Sequence, residues 1–324
     1  MIVNVGIIGY GFMGRMHAKS LTKIQDAKLY AIADVSHEAL KSAKKDYPWI
    51  KTYDNPVHLI TDKNIDAIVI ASYPNTHIEY LIKALENNKH VLVEKPLAIK
   101  FADVKPLLKI EYDTVVMVGF SLRYHDMYIK IKELIDSHDG AFIAHHTALG
   151  GLPDIPWLKN PDLSGGLLNE NAVHIIYLFL WYMGDIDSVF SRIYSITGSG
   201  IDDNFVLVMT HTNNTTSSLV RSWTGGQIVR YYDFLTKEGS IHVDGYLEGR
   251  IRVHEKEKEY TIEYPRIFEE MYLNEMKHFI EAVKSGRKPY TSLEDGIKVQ
   301  AVVEAARISS KEKRIVKLSE IYGY

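Results

Sequence analysis

The chain contains no cysteine. That excludes disulfides, thiol catalysis and thiolate metal sites, and it fits a reducing compartment. There is no long basic tract, and the formal net charge is −3, so neither nucleic acid nor an anionic membrane is expected as a main partner. The most apolar stretch, Ala172 to Met183, is too short to span a bilayer and contains His174. The first residues lack the charged-then-apolar layout of a secretory signal, so the cytoplasm is the expected location. Internal repeats and low-complexity linkers are absent as well. What is present is the composition of a folded protein, 46% hydrophobic and 24% charged over 324 residues. That length is large for one core and predicts two domains.

The N-terminal stretch Met1 to Leu21 carries the first functional signal. An apolar run, Val3 to Ile8, predicts a buried strand, and Arg15 to Leu21 begins a helix. Between them lies Gly9-Tyr10-Gly11-Phe12-Met13-Gly14. In such a loop the first glycine permits a tight turn, the second admits a pyrophosphate close to the backbone, and the third lets the helix pack on the strand. The helix N-terminus adds free N–H groups and partial positive charge. A second apolar strand, Leu29 to Ala33, ends in Asp34, twenty residues after Gly14. A carboxylate there can bind both hydroxyls of an adenine ribose. It disfavours a 2′-phosphate, so NAD is expected over NADP, with Ser36, His37 and Lys41 near enough to soften that preference.

Strands and helices alternate through the first third: a helix at Ser36 to Lys45, a strand at Ala67 to Ala71 and a helix at Ile78 to Asn87. A strand at His90 to Val93, a helix at Val104 to Lys109 and a strand at Val115 to Gly119 follow. Alternation of this kind predicts a doubly wound parallel sheet with ligands at the carboxyl ends of its strands. Ser72, Glu94, Lys95 and Ser121 fall at such ends. The expected cofactor contacts are Gly9, Gly11, Phe12, Met13, Gly14, Asp34, Ser72, Asn75, His77, Glu94 and Lys95. After a helix at Met127 to Ser137, alternating apolar and polar residues predict strands from Ala141 to Glu255, with hairpin turns at Asn213-Asn214 and Glu238-Gly239. The run Glu255 to Glu259 reads as a solvated edge. Two helices close the chain, Phe268 to Ser285 and Leu293 to Lys311. The expected domains are 1–122 and 123–324, with the active site in the cleft between them.

Two groups of residues point to chemistry. Lys95 stands between Glu94 and Pro96 at a strand end. The triplet alone reads as a surface lysine before a turn. Its position beside the expected nicotinamide lets an ammonium hold a substrate oxygen and stabilise an alkoxide, and Pro96 restricts Lys95 to extended backbone. Ser164-Gly165-Gly166 leads through Glu170 to His174; four apart, the acid and the imidazole share one face of a helix. A satisfied core histidine is the plain alternative, but a carboxylate one turn before it would be costly to bury. No third ligand stands near this pair, and His145 and His146 point to opposite faces of a strand, so no metal is expected.

Together these residues resemble the glucose–fructose oxidoreductase/inositol dehydrogenase/rhizopine-catabolism (Gfo/Idh/MocA) family. The likeness extends through Gly119-Phe120, Arg123-Tyr124, Ser222-Trp223 and Glu275 to Lys317. It implies an α/β protein: a Rossmann domain, then an α/β domain built on a large, mostly antiparallel open sheet. It also implies NAD(P)-dependent hydride transfer at a secondary alcohol or ketone of a sugar, inositol or related polyol. Lys95 and His174 inherit contact with the reacting hydroxyl, and Glu170 stands where the family usually has Asp. Ala172, Ser164, Asn169 and Ser121-Leu122 also depart from the pattern, which bears on substrate identity more than on cofactor binding. Arg123, Tyr124, Trp157, Asn171 and Tyr231 are candidates for lining the substrate pocket, with ordinary packing as the alternative for each. A homodimer or homotetramer through the second sheet is implied too. The competing functions are a dinucleotide-binding sensor without turnover, and an enzyme that recycles tightly held NAD.

Overall fold

The N-terminal apolar run forms β1 (Val3–Ile8) in a computed structural model that describes residues 2–198 and 200–323. It is followed by α1 (Phe12–Leu21), β2 (Ala27–Ala33), α2 (His37–Asp46), β3 (Lys51–Tyr53), α3 (Pro56–Ile60), β4 (Ala67–Ile70), α4 (His77–Glu86), β5 (His90–Glu94), α5 (Phe101–Val104) and β6 (Val116–Gly119). The six strands form one parallel sheet in the order β3-β2-β1-β4-β5-β6. Val5, Ile7, Ile32, Val69 and Leu92 are fully buried in it, as continuous apolar runs require. The strand order reverses between β1 and β4, the place where ligands of such sheets bind. Register sets Ile8 beside Ala33 and Ile70, and Val93 beside Ile70. The residues that follow, Gly9, Asp34, Ala71 and Glu94, therefore share one carboxyl edge.

Local chemistry accounts for the boundaries. Ser36 caps α2 by accepting the N–H of Ala39, and Asn55 caps α3 by accepting that of Val57. The helix expected over 104–109 starts earlier, at Phe101, and tightens into a 3-10 turn over Lys105–Lys109. Pro106 has no N–H to donate to an i−4 carbonyl there. β3 and α3 were not anticipated; three and five residues are too few to display a period.

The remaining elements are α6 (Asp126–Ser137), β7 (Ala141–Gly151), α7 (Pro161–Ser164), α8 (Val173–Met183), β8 (Ile186–Tyr194), β9 (Asn204–His211), β10 (Thr216–Ser222), β11 (Thr224–Thr236), β12 (Gly239–Gly245), β13 (Gly249–Glu255), β14 (Lys258–Tyr264), α9 (Phe268–Ser285), α10 (Leu293–Glu312), β15 (Val316–Lys317) and α11 (Leu318–Tyr322). Their nine-stranded sheet runs β14-β13-β12-β11-β7-β10-β9-β8-β15. Its pairings are antiparallel except β7 with β10. Alternation separates two faces: Leu219, Tyr232, Phe234, Ile241 and Val253 are fully buried, while Phe190, Val208, Ile143 and Leu235 are 39–47% exposed on the other. The segment Glu255 to Glu259 spans the end of β13, the turn at Lys256-Glu257 and the start of β14, which is the edge strand.

The chain divides into two compact units, one of Met1–Tyr124 with Glu269–Ile297, the other of His125–Phe268 with Lys298–Tyr324. The stretch 269–297, expected with the second domain, thus belongs to the first unit: Met276, Phe279 and Ile280 of α9 join the core of β1, β2 and β4. Among the described residues no helix is long and apolar enough to cross a membrane.

Candidate active site

The three glycines of the first loop are each explained by what a side chain would meet. Gly9 has φ +91°, and a Cβ on it would lie 2.6 Å from the Ala71 carbonyl oxygen. A Cβ on Gly14 would lie 1.9 Å from the carbonyl oxygen of Gly9, so only glycine lets α1 sit this close to β1. Gly11, the N-cap of α1, has no atom within 4 Å of its would-be Cβ. Nothing among the described residues requires glycine there, and the open space leaves room for a pyrophosphate to approach. Asp34 accepts the N–H of Tyr10 at 2.7 Å and that of Ser36 at 2.8 Å, which ties the β2 acid to the loop. Phe12 and Val35 are large apolar side chains left exposed beside these groups. The residues present fit a dinucleotide.

Not every expected cofactor contact is available. His77 is buried and bridges the carbonyl oxygens of Pro96 (2.8 Å) and Ser72 (3.1 Å), joining the ends of β4 and β5; burial holds its pKa below the usual histidine value. Its ring is a strut. Glu94 is likewise turned inward: His17 Nε2 lies 2.7 Å from its Oε1, and its Oε2 accepts the Lys95 N–H at 3.2 Å. Ser72 pairs with Thr76 at 2.7 Å, Asn75 is exposed, and Met13 is half-buried. Lys95 is half-buried just beyond β5, and the Lys95–Pro96 bond is cis.

In the second unit the segment carrying Glu170 and His174 is not one continuous α-helix. Leu168–Ala172 is a π-helical turn, and α8 begins at Val173. Such widened turns are frequent at functional sites. Three side chains hold it. The Asp202 carboxylate accepts the N–H of Leu168 at 2.8 Å, with burial keeping this acid above the usual carboxylate pKa. Gly166 (φ +83°) makes room for it, since a Cβ would lie 1.8 Å from Asp202 Oδ1. Asn169 is fully buried and accepts from Gln300 at 3.3 Å. Asn171 accepts from the guanidinium of Arg221. The departure at Ser164 is accounted for too: its hydroxyl reaches the Leu158 and Asn160 carbonyls at 2.9 and 3.1 Å and accepts the Gly166 N–H at 3.1 Å.

The substrate-lining candidates are not all brought together. Tyr124 is buried in the first unit, its hydroxyl 3.4 Å from Thr291 Oγ1, and Arg123 lies 4.8 Å over the Tyr290 ring. Trp157 is half-buried in a one-turn helix, Pro156–Lys159. Asn171 meets Arg221 on the inner face of the large sheet. Tyr231 belongs to the opposite face, its ring between His145 (5.8 Å) and His242 (6.0 Å). His145 and His146 do part: His145 contacts Ser218 and Thr147, while buried His146 bonds the Tyr231 carbonyl and Arg221.

Sequence inspection missed His17, Glu275 and Arg221, and it weighed His146 only as a metal ligand. Each is a polar residue at an inward position of an otherwise apolar pattern, for example Met271, Tyr272, Glu275, Met276, Phe279 on α9. That pattern was the available signal. A surface hollow among Phe142, Leu235, Thr236 and His254 contains none of the candidate residues.

A parallel sheet of this order, with a fitted glycine loop and an acid at the end of β2, defines a dinucleotide-binding enzyme with a second, largely antiparallel domain. Comparison with known proteins makes the class specific. The oxidoreductase family model for the NAD-binding Rossmann fold matches residues 3–121, and that for the C-terminal alpha/beta domain of the same family matches 143–318. The chain is 31% identical to myo-inositol 2-dehydrogenase of Thermotoga maritima, over 99% of this chain and 100% of that protein. It is 26% identical to scyllo-inositol 2-dehydrogenase (NAD(+)) of Bacillus subtilis, over 89% and 88%. The crystal structure of a probable dehydrogenase from Thermotoga maritima superposes with a TM-score of 0.85 at 29% identity, covering 98% of this chain and 100% of that one. The chain belongs to the Gfo/Idh/MocA oxidoreductase family. It is an NAD-dependent oxidoreductase acting on CH–OH groups.

Proposed function

We propose that the enzyme oxidises a ring secondary alcohol of an inositol or a closely related cyclic polyol, and reduces the corresponding ketone in the reverse direction. The observation that carries this reading is the full-length likeness to myo-inositol 2-dehydrogenase, joined to a lysine at the carboxyl end of β5, on the same sheet edge as the glycine loop. Bound NAD supplies the hydride acceptor. Lys95 hydrogen-bonds the substrate oxygen and stabilises its developing negative charge. His174 takes the hydroxyl proton in oxidation and returns it in reduction, a role worth about 10²–10⁴-fold in rate. Glu170, one residue before Asn171 on the π-helical turn, orients the imidazole or binds a neighbouring hydroxyl. Gly9, Gly11, Gly14 and Asp34 hold the dinucleotide, and Arg123, Trp157 and Asn171 remain the substrate-lining candidates.

We further assign a homo-oligomer formed through the exposed face of the large sheet, which presents Phe190, Val208, Ile143 and Leu235. The absence of cysteine is in keeping with a cytoplasmic location. A panel of inositols, aldoses and nucleotide sugars with NAD, followed by NADH absorbance, tests the substrate. Turnover concentrated in the cyclic polyols is the expected result; turnover only on open-chain or nucleotide-linked sugars would overturn it.

A further inference from the structure

Three buried ionisable side chains meet inside the first unit. They are His17 of α1, Glu94 of β5 and Glu275 of α9, whose ligand-type atoms all lie within 4.8 Å of one another. Glu94 is well supplied with donors, His17 Nε2 at 2.7 Å and the Lys95 N–H at 3.2 Å. Glu275 is the reverse case: it is 0% exposed, and neither of its oxygens has a hydrogen-bond partner. A carboxylate in that setting would be an uncompensated buried charge beside a second one, an arrangement proteins avoid.

We propose that Glu275 is held as a neutral acid beside a charged Glu94, and that it acts through Glu94 as a positioning residue for Lys95. Glu94 keeps the negative charge because the donors are on its side. Its two oxygens then join α1, through His17, to the backbone N–H of the lysine. Burial, followed by the charge of Glu94, raises the pKa of Glu275 well above the usual carboxylate value, in agreement with this placement of the proton. The titratable groups facing it are Glu94 and His17; Tyr272, on its own helix, lies edge-on to the His17 ring at 6.1 Å. A proton suits the cluster better than a metal ion. Two ligand atoms each about 2.0–2.1 Å from a tetrahedral zinc stand roughly 3.3 Å apart, whereas His17 and Glu94 are at hydrogen-bond distance.

The proton assignment is independent of the catalytic assignment; the positioning role rests on the function given to Lys95. Infrared spectroscopy of the NAD-bound enzyme at neutral pH tests the first. The carbonyl band of a protonated carboxylic acid is expected in the wild type and lost in Glu275→Gln. Steady-state kinetics tests the second. Glu275→Ala is expected to lower kcat by about tenfold with KM for NAD within roughly twofold. Glu275→Gln, a neutral isostere, should restore most of that loss and remove or raise the alkaline limb of the kcat–pH profile. Absence of the infrared band, or a stoichiometric metal in the purified protein that Glu275→Gln loses, would overturn the proton. Failure of Gln to rescue, or an unmoved alkaline limb, would overturn the positioning role. A wild type inactive on every substrate would sink the function of Lys95 and leave the infrared result to decide the proton.

Discussion

The Asp34 carboxylate accepts the backbone N–H of Tyr10 at 2.7 Å, so the acid that ends β2 is fixed to the first residue after Gly9. Under the proposed function the same carboxylate is expected to set cofactor choice. A phosphate charge about 4 Å from it costs on the order of 4 kcal/mol at intermediate dielectric, before screening by solvent and salt. Titration calorimetry of the wild type is expected to give NAD at least about tenfold tighter than NADP, a gap of roughly 1.4 kcal/mol. Asp34→Asn keeps an acceptor for the loop and removes the charge. It should bring the two affinities within about threefold.

Gly11 and Gly14 separate two kinds of glycine requirement. Gly14→Ala would put a methyl group 1.9 Å from the Gly9 carbonyl oxygen, so both stability and dinucleotide binding should fall. Gly11→Ala meets nothing within 4 Å and has an ordinary φ of −76°. Its melting temperature should stay near wild type while NAD affinity drops by about tenfold or more. Calorimetric melting with and without NAD checks both.

Arg221 is a buried cation whose hydrogen-bond partners are Asn171 and His146, and burial lowers its pKa. With Nδ1 bonded to the Tyr231 carbonyl, His146 Nε2 is the acceptor for the guanidinium, and burial plus that neighbour keep the ring neutral. Arg221→Met strands both acceptors and should cost about 2 kcal/mol. Adding Asn171→Leu should recover part of this, with a coupling of about 1 kcal/mol in urea unfolding. Strictly additive losses would remove the link between the sheet and the π-helical turn.

Asp203 is fully buried by surface area, a change that alone would raise its pKa. Hydrogen bonds from Thr197, Ile196 and Ser195 outweigh it and lower the value to about 2 from 3.8. A depressed folded-state pKa means stability that is complete above the unfolded value and lost as pH falls. The wild type should therefore exceed Asp203→Asn by about 2 kcal/mol above pH 4, and the gap should close as pH drops toward 2.

The fold was readable where a pattern repeats. Val3–Ile8, Phe268–Ser285 and the loop from Gly9 to Gly14 were legible because each carries several residues of one periodicity or spacing. β3 was not, being three residues long. β14 was passed over because Lys258, Glu259 and Glu263 mask the alternation of Tyr260, Ile262 and Tyr264. Lys95, Glu170 and His174 could be proposed from local sequence, the lysine from its place after a strand and the other two from their four-residue spacing. The site was less legible wherever long-range pairing decides. His77 opens the helix after β4 and Glu94 ends β5, places where cofactor contacts are expected, yet the Pro96 carbonyl and His17, distant in sequence, turn them inward. The π-helical turn depends on Asp202 and Arg221, 34 and 50 residues beyond their partners, and no local spacing announces that.

Under the proposed function Lys95 stabilises the reacting oxygen, and the glycine loop with Asp34, more than any contact from Lys95, holds the dinucleotide. Kinetics and NAD titration of Lys95→Met, on whichever polyol the wild type turns over, test it most directly. A fall in kcat of at least about 100-fold is expected, with the dissociation constant for NAD unchanged. Turnover near that of the wild type would contradict it, as would a loss of activity fully explained by weaker NAD binding.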